Sequence, residues 1–513
     1  MDIPYSIKMK TEMKRIYSIL LVIAFTPILV IAQNETDALR YSQNYFGGTT
    51  RVSSMAGAFG ALGGDFGSLG INPAGIGVFR STEFTLSPGL SFDKTNTNYL
   101  GSGTTDIQNQ FFLNNMGIVS THLTGSDNGF ISVSFGVGYN RLNNFHRNII
   151  MQARMPAVTP PVSTQRPEDG GSSSSSYLDN FVNYANSAGP FNPDNLDPYY
   201  EQLAWYADLI YYDSLMLSYR NDINDFGYGQ FQRQTITEKG GLGEYTFGIG
   251  TNFNNMFYLG AAFGIHQLRF NQDIVTSEDD DLGTVDYFNS FRFGEYLDVF
   301  GTGYTAKFGI IVRPVNLIRI GAAFHIPTFY KIREEFSTIL QGTFDQESPT
   351  DERSPVNTFD YWLRTPYRAI GSVGIQILKI ATINLDYELV DYTTMNMNSG
   401  YAEDFIDVNQ EIRDIYKLAS NVRTGAEVVL KPFYFRTGLA FYGSPFVNDI
   451  PGINSYRMLY SGGFGFRSEK FFLDIGAVNI SNEYRYDLYD EDVFNAKIEG
   501  RKLNFMTTLG FKF

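Results

Sequence analysis

Apolar and polar residues alternate with a period of two over most of the chain after residue 80. The pattern is clearest at the end, where odd positions of 503–513 are mostly apolar and even positions are mostly small or polar. Such alternation is the signature of a β-strand with one apolar and one polar face. Fourteen segments of this kind can be counted, the first at 84–92 and the last ending on Phe513.

Short and long connections alternate between these segments. Short turns are predicted at 124–129, 254–255, 313–316, 378–380, 431–432 and 467–470. Long loops are predicted at 93–110, 146–240, 271–300, 333–365, 392–420, 444–456 and 480–500. This alternation is typical of outer-membrane barrels and is not required of a soluble β-sandwich. We therefore predict an all-β membrane protein, a 14-stranded antiparallel transmembrane β-barrel over 80–513 with its largest extracellular loop at 146–240.

The N-terminus has the pattern of a secretory signal peptide. Basic residues precede an apolar run at 16–31, and Val30 and Ala32 are small enough for the signal peptidase pocket. We predict cleavage after Ala32, so that 1–32 is removed and the mature chain begins at Gln33 in the outer membrane of a bacterial cell. An uncleaved anchor helix is the alternative, although the run is short for a membrane span.

Composition narrows the function classes. The 513 residues include 44 Phe, 34 Tyr and 50 Gly, and aromatic residues would supply the interfacial girdles of a barrel. The formal net charge of −15 argues against a surface for nucleic-acid phosphates. The chain has no Cys, which excludes disulfides, thiolate metal sites and cysteine nucleophiles.

The segment at 33–79 precedes the first strand, and it is too rich in Gly for a strand yet too apolar for a disordered tail. The lumen of a fourteen-stranded barrel is too wide for wall side chains to fill. We predict that 33–79 forms an N-terminal plug (hatch) in the lumen, with a turn at 72–75. Phe59, Leu62 and Phe66 are the candidate lining of a ligand pocket beside this plug.

Two stretches resemble the FadL/TodX outer-membrane transporters of long-chain fatty acids and other hydrophobic compounds, especially their Bacteroidota-like versions. RVSSMAGAFGALGGDFGSLGINPAGIGVF at 51–79 contains Asn72, Pro73, Ala74 and Gly75, which correspond to the hatch motif of that family. TPYRAIGSVGIQI at 365–377, followed by INLDYELVDY at 383–392, resembles its paired central strands. The resemblance implies transport of hydrophobic compounds, with release through the wall at the third strand. The loop at 146–240 is longer than the family pattern leads us to expect.

Gly136 and Gly138 lie on one face of the third strand. They are a candidate wall kink, and the alternative is that small residues make room for the plug.

The large loop contains YYEQLAWYADLIYYDSL at 199–215, which we interpret as a helix with most faces apolar. Trp205, Tyr206, Leu209 and Ile210 are the candidate outer groove that captures a hydrophobic ligand. The alternative is a lid that packs on neighbouring loops.

Motifs for catalysis and metal binding are absent from the sequence. The acidic run at 278–281 lacks the ligand spacing of a calcium loop and is expected to be solvated. The four His residues are scattered singly, and no G-x-S-x-G, Walker A or dinucleotide loop occurs. We expect no enzyme activity, no cofactor and no metal.

The favoured function is an outer-membrane passive transporter of hydrophobic small molecules, such as long-chain fatty acids or related lipids and aromatics. Capture at the outer loops would be followed by hatch-gated diffusion. The alternative is a FadL-like barrel that serves protein secretion as a PorV-like shuttle. Expected partners are outer-membrane lipids, the hydrophobic ligand, and the barrel assembly machinery through the C-terminal strand ending in Phe513. A secretion or surface complex is a further candidate partner.

Overall fold

The computed structural model describes residues 34–513 except 46, 156–175, 190, 222–227, 346, 379, 402, 449–451 and 489–494. The predicted signal peptide at 1–32 and the predicted new N-terminus at Gln33 lie outside the described residues.

Fourteen antiparallel strands form a closed barrel, as the count from the sequence predicts. The strands are β1 Glu83–Tyr99, β2 Ser102–Leu123, β3 Phe130–Asn144 with Arg147–Arg154, β4 Phe231–Phe253, β5 Phe257–Asp279, β6 Phe288–Val315, β7 Ile318–His325 with Phe329–Phe344, β8 Asn357–Arg364 with Arg368–Ile377, β9 Ala381–Asp391 with Asn396–Asn398, β10 Leu418–Leu430, β11 Phe433–Tyr442, β12 Arg457–Arg467, β13 Phe471–Asp487 and β14 Asn495–Lys512. Each strand pairs with the next, and β1 pairs with β14 from Glu83↔Lys512 to Tyr99↔Ala496, which closes the sheet.

The wall is apolar outside and polar inside. On β14, for example, Phe505 and Leu509 are 46% and 42% exposed, whereas Thr508 between them is fully buried. On the outside, Tyr245, Ile265, Tyr304 and Phe329 are neighbours in register on four successive strands, and three of the four are aromatic. This inverted distribution is that of a transmembrane barrel.

Several strands extend further than the period-two pattern indicates. β1 and β2 meet at a turn of only Leu100 and Gly101, where a long loop at 93–110 was expected. That expectation is wrong because the upper parts of both strands are polar on both faces, for example at Asp93, Lys94 and Thr95. Such a stretch lies beyond the apolar layer and shows no alternation.

Four strands are interrupted, namely β3, β7, β8 and β9. In β7 and β8 the interruptions contain Pro327 and Pro366, which cannot donate to the ladder. In β3 the register shifts between Arg141 and Asn143, and the strand breaks at Phe145 and His146.

The helices lie in the N-terminal segment and in the loops. They are α1 Glu35–Ser42, α2 Thr50–Ser54, α3 Tyr177–Ser187, α4 Glu201–Tyr206 and α5 Ile406–Ile415. Within the described ranges, none of them is long and apolar enough to cross a membrane.

The loop between β3 and β4 has its own hydrophobic core. Leu178, Phe181 and Leu203 of α3 and α4 pack against Phe293 and Leu340 of the upper wall. Helix α4 ends at Tyr206, and a hairpin of Tyr211–Asp213 and Ser218–Arg220 follows it. The predicted long helix at 199–215 is therefore wrong, because Asp208 adopts a φ of 58°, which ends the helical conformation.

The acidic run at 278–281 is part of the architecture. Glu278 is buried and accepts hydrogen bonds from the Ser176 hydroxyl and the Tyr177 N–H at the start of α3. Asp281 pairs with Arg154. The expectation of a fully solvated acidic loop is wrong for Glu278.

Candidate functional site

Residues 34–79 lie against the inner face of the wall. The Thr50 N–H donates to Thr508 Oγ1 on β14, and the Ser461 hydroxyl on β12 donates to the Ser54 carbonyl. His325 Nε2 on β7 donates to the Ile71 carbonyl at 2.9 Å. Higher in the barrel, Arg368 on β8 donates to the carbonyl of Ser42 at the end of α1. One segment thus binds strands all around the lumen.

Buried charges fix this segment to the wall. Arg51 forms two hydrogen bonds with Glu427 on β10, at 2.9 and 2.8 Å, and Glu427 also accepts from Arg436 on β11. Asp386 on β9 accepts from the backbone N–H groups of Phe59 and Gly60, each at 3.0 Å. Burying a charge is costly unless partners compensate it, so these contacts favour one position of the segment.

The hatch motif forms the predicted turn. The Gly75 N–H donates to the Asn72 carbonyl at 2.9 Å, and Asn72 Oδ1 accepts from the Ala74 N–H at the start of the 3₁₀ helix Pro73–Val78. The Asn72 amide also donates to the carbonyls of Gly60 and Ile310. A Cβ atom at Gly309 on β6 would lie 1.9 Å from Asn72 Oδ1, so a glycine in the wall permits this approach.

The three residues proposed as the pocket lining are packed instead. Phe59 and Leu62 lie in a cluster with Val52, Met55 and Ile71, and they are 0% and 6% exposed. Phe66 fills the space above Gly117 and Gly138 of the wall. Packing with the wall occupies these side chains, so the pocket prediction for them is not supported.

A small pocket lies higher, between the segment and strands β2, β3 and β12–β14. It has a volume of about 90 Å³, and we call it the inner pocket. Its apolar lining includes Phe112, Leu459 and Met506.

Three cations also line the inner pocket. The Arg457 guanidinium lies 3.6 Å from the ring centroid of Tyr45, and that of Arg141 lies 4.7 Å from the ring centroid of Phe112. Lys502 pairs with Asp93 at 2.7 Å, whereas neither arginine has a carboxylate within 4 Å in the described part of the chain. Sequence reasoning missed this pocket, although Arg141, Arg457 and Lys502 stand on polar faces of strands.

The wall beside this pocket is split between β2 and β3. Their ladder ends at Asn115↔Asn140, and above this pair β2 is bonded only to β1 in the described ladders. The upper part of β3 passes inside β1 and β2, where the Ile150 carbonyl accepts hydrogen bonds from the Thr97 and Thr104 hydroxyls. Side chains bridge the split, because Gln110 Nε2 lies 3.0 Å from His146 Nε2 and Arg141 donates to Gln110.

The split does not lie at the predicted wall kink. Gly136 and Gly138 pair in continuous register with Val119 and Gly117 on one side and with Gly248 and Thr246 on the other. A Cβ atom at Gly136 would lie 2.8 Å from Leu69, and one at Gly138 would lie 2.5 Å from Phe66. The two glycines leave space for side chains of the N-terminal segment, and neither ladder has a register shift at them, so the wall kink stays a prediction.

A larger cavity lies beneath α3 and α4, between the upper ends of β4–β7 and β13. It has a volume of about 470 Å³, and Asn34 just before α1 reaches it; we call it the outer cavity. Tyr200 and Glu201 line it.

The predicted capture residues lie beside this cavity rather than in it. Leu209 and Ile210 are 4% and 2% exposed in the loop core, Trp205 packs edge-on against Tyr219, and Tyr206 is half exposed. The loop therefore packs as a lid, and the cavity is lined by residues one helical turn earlier.

The fold is similar to that of two solved bacterial structures. The first is a Pseudomonas aeruginosa FadL homologue, with a TM-score of 0.53 at 11% sequence identity, covering 92% of this chain and 100% of the other. The second is the Pseudomonas putida toluene transporter TodX, with a TM-score of 0.51 at 9% identity, covering 92% and 100%. At these identities the comparison establishes the fold, and the expectation of a FadL/TodX-type barrel is confirmed.

No protein-family model matches the chain, and no significant similarity to a curated protein was found.

Proposed function

We propose that this protein is an outer-membrane channel through which hydrophobic small molecules diffuse without an energy source. The observation that carries the proposal is the inner pocket, a space with both apolar and cationic lining residues that lies inside the barrel behind the split between β2 and β3. A pocket behind a continuous wall would only store a ligand, whereas one behind a side-chain bridge has an exit toward the lipid.

The proposed route begins at the outer cavity, continues to the inner pocket and leaves through the split. In this proposal the N-terminal segment is the plug that closes the lumen toward the periplasm. Its bonds to β6, β9, β10 and β14 support this role, because they hold it across the lower lumen. Each CH₂ group removed from water stabilises the bound compound by about 0.8 kcal/mol, so apolar sites along the route favour entry.

Cross-linking the side-chain bridge tests the exit. The natural chain has no Cys, so Gln110→Cys with His146→Cys introduces the only thiols. A bifunctional thiol reagent cleavable by reduction should then reduce uptake of a labelled hydrophobic compound into cells by about tenfold, and reduction should restore it.

The control is the Gln110→Cys single variant treated with the same reagent, which should take up the compound normally. Full uptake by the cross-linked double variant would contradict the lateral exit.

A protein-secretion role is the second candidate. It is favoured by the tip of the loop hairpin, where Leu215, Met216 and Leu217 are 91%, 67% and 74% exposed. Exposed apolar residues in such a group mark interaction surfaces. Affinity purification separates the two functions, because a bound secreted protein favours the secretion role and a bound hydrophobic small molecule favours the channel.

A further inference from the structure

The outer cavity has an acidic lining. No Lys or Arg is among its described lining residues. The lining includes four carboxylates, which are those of Asp197, Glu201, Glu295 and Asp487. Asp487 is paired with Arg485, and Glu295 accepts a hydrogen bond from the Tyr200 hydroxyl. The acidic residues therefore come from α4, from the loop before it and from the wall strands β6 and β13.

Glu201 is the most enclosed of these carboxylates. It is only 7% exposed, and its Oε2 accepts a hydrogen bond from the backbone N–H of Asp197 at 3.1 Å. In the described part of the chain no basic side chain lies within 4 Å of it. Burial raises the pKa of Glu201 to about 7, as expected for a carboxylate that lacks a counter-charge.

Aromatic rings form much of the remaining lining. They are Tyr177, Phe181, Tyr184, Tyr200, Phe336 and Tyr486. The rings of Tyr200 and Phe336 lie 6.5 Å apart between centroids, and those of Tyr177 and Phe181 lie 5.3 Å apart. The faces of such rings attract cations, and aromatic cages of this kind recognise alkylammonium groups.

An independent feature is an unsatisfied acceptor. Gln234 on β4 lines the cavity and is 2% exposed. Its amide nitrogen donates to Thr276 Oγ1 at 2.9 Å, but its Oε1 has no hydrogen-bond partner within the described ranges. A buried acceptor without a partner is costly, and a positively charged group of a ligand would interact favourably with the partial negative charge of this oxygen.

We propose that the outer cavity binds an organic cation, an alkylammonium group carried on a hydrocarbon or aromatic body. The proposal rests on the proposed channel function, for which it names the class of compound that the entrance accepts. A volume of about 470 Å³ is sufficient for such a molecule. An anionic head group would meet acidic side chains and no basic side chain among the described lining residues. In the described residues no three acidic or His side chains converge closely enough to hold a metal ion.

The test measures binding of three short probes to the full-length protein in a nonionic detergent by isothermal titration calorimetry. The probes are hexyltrimethylammonium, hexane-1-sulfonate and 1-hexanol, which share a six-carbon chain and differ in charge. At pH 8, where the Glu201 carboxyl is mostly charged, Glu201→Gln should weaken binding of the ammonium probe by about tenfold, because a buried charge–charge contact is lost. The same change should leave the sulfonate and hexanol affinities unchanged.

Phe336→Leu is the second variant, since it removes a ring while keeping an apolar side chain. This substitution should weaken binding of the ammonium probe by about three- to tenfold. Asp213→Asn is the matched control, a carboxylate of the same loop outside the cavity lining, and it should have no effect. Folding of each variant is checked by heat-modifiable migration.

Equal ammonium affinity in wild type and both variants would overturn the proposal. So would a parallel loss of hexanol affinity, because that outcome would mean that the substitution merely reshapes the cavity. The cross-linking experiment has a separate readout with a neutral compound. Failure of cation binding with intact, cross-link-sensitive uptake therefore removes only this inference.

Discussion

The outer cavity and the inner pocket are opposites in charge. The outer cavity is lined by four carboxylates without a basic residue among its described lining, while the inner pocket is lined by Arg141, Arg457 and Lys502. A simple anion is disfavoured at the first site and a simple cation at the second. A compound retained at both sites must therefore be uncharged or carry both charges. An alkylammonium compound accepted at the outer cavity is retained at the inner pocket only if it also carries a negative charge.

The two sites also differ in the structural elements that enclose them. The outer cavity is closed by loop helices α3 and α4, whose core includes Phe181 and Leu203. The inner pocket is closed by wall strands and by the N-terminal segment, which is anchored through Arg51 and Asp386. Changes to the segment should therefore affect the inner pocket and leave the outer cavity unaltered.

The largest effect is expected from Glu427→Gln. Arg51 and Arg436 would then lose the buried carboxylate that joins them, and breaking a buried ion pair costs about 3–5 kcal/mol. The segment should leave its position for a much larger fraction of the time, which should raise ion conductance in planar bilayers by more than about tenfold. Binding of hexyltrimethylammonium at the outer cavity should stay the same.

Glu335→Gln serves as the control, since Glu335 is an exposed carboxylate on the outer side of β7. Unchanged conductance in the Glu427→Gln protein would mean that the segment does not close the lumen. A simultaneous loss of ammonium binding would mean that the two sites are not independent.

The next effect concerns the charge of the inner pocket. Arg457→Gln removes a guanidinium that has no carboxylate within 4 Å among the described residues. Binding of hexane-1-sulfonate should weaken by about tenfold, as expected when a charge-assisted contact is lost. Binding of the ammonium probe should not change. If the sulfonate affinity is unaltered, the inner pocket is not the anion site.

Much of the barrel could be predicted from the sequence, because a membrane outside and a polar lumen inside impose one period on every strand. The hatch turn at Asn72–Pro73 was also predictable, since Asn before Pro is biased out of the helical region. Pro327 and Pro366 were available signals for the breaks in β7 and β8. The resemblance supplied the identity of the fold, which periodicity alone does not give.

The two cavities could not be predicted in the same way. The split beside the inner pocket arises because β3 leaves β2 after Asn140 but continues to pair with β4, which is a long-range effect. The outer cavity combines Glu201 of a loop with Gln234, Glu295 and Asp487 of three distant strands. Gly136 and Gly138 do not decide between a kink and space for the segment, because a glycine that admits a neighbouring side chain looks the same in the sequence as one that bends a strand.

The smallest expected effect is the pH dependence of the outer cavity. Burial raises the pKa of Glu201 to about 7, so its carboxyl is mostly protonated below that pH and mostly charged above it. A quaternary ammonium probe has no proton to lose, so any change reports the protein. The other titratable groups facing Glu201 across the cavity are Asp197, Glu295 and Asp487 and the tyrosines Tyr177, Tyr184, Tyr200 and Tyr486.

Affinity for hexyltrimethylammonium should rise by up to about tenfold between pH 6 and pH 8, as the ionised fraction of one carboxyl rises by that factor. Glu201→Gln should flatten this rise, whereas sulfonate binding at the inner pocket should not follow it. A rise that persists in the Glu201→Gln protein would assign the titration to another of these groups. Glu201 would then not be the residue that makes cation binding at the outer cavity depend on pH.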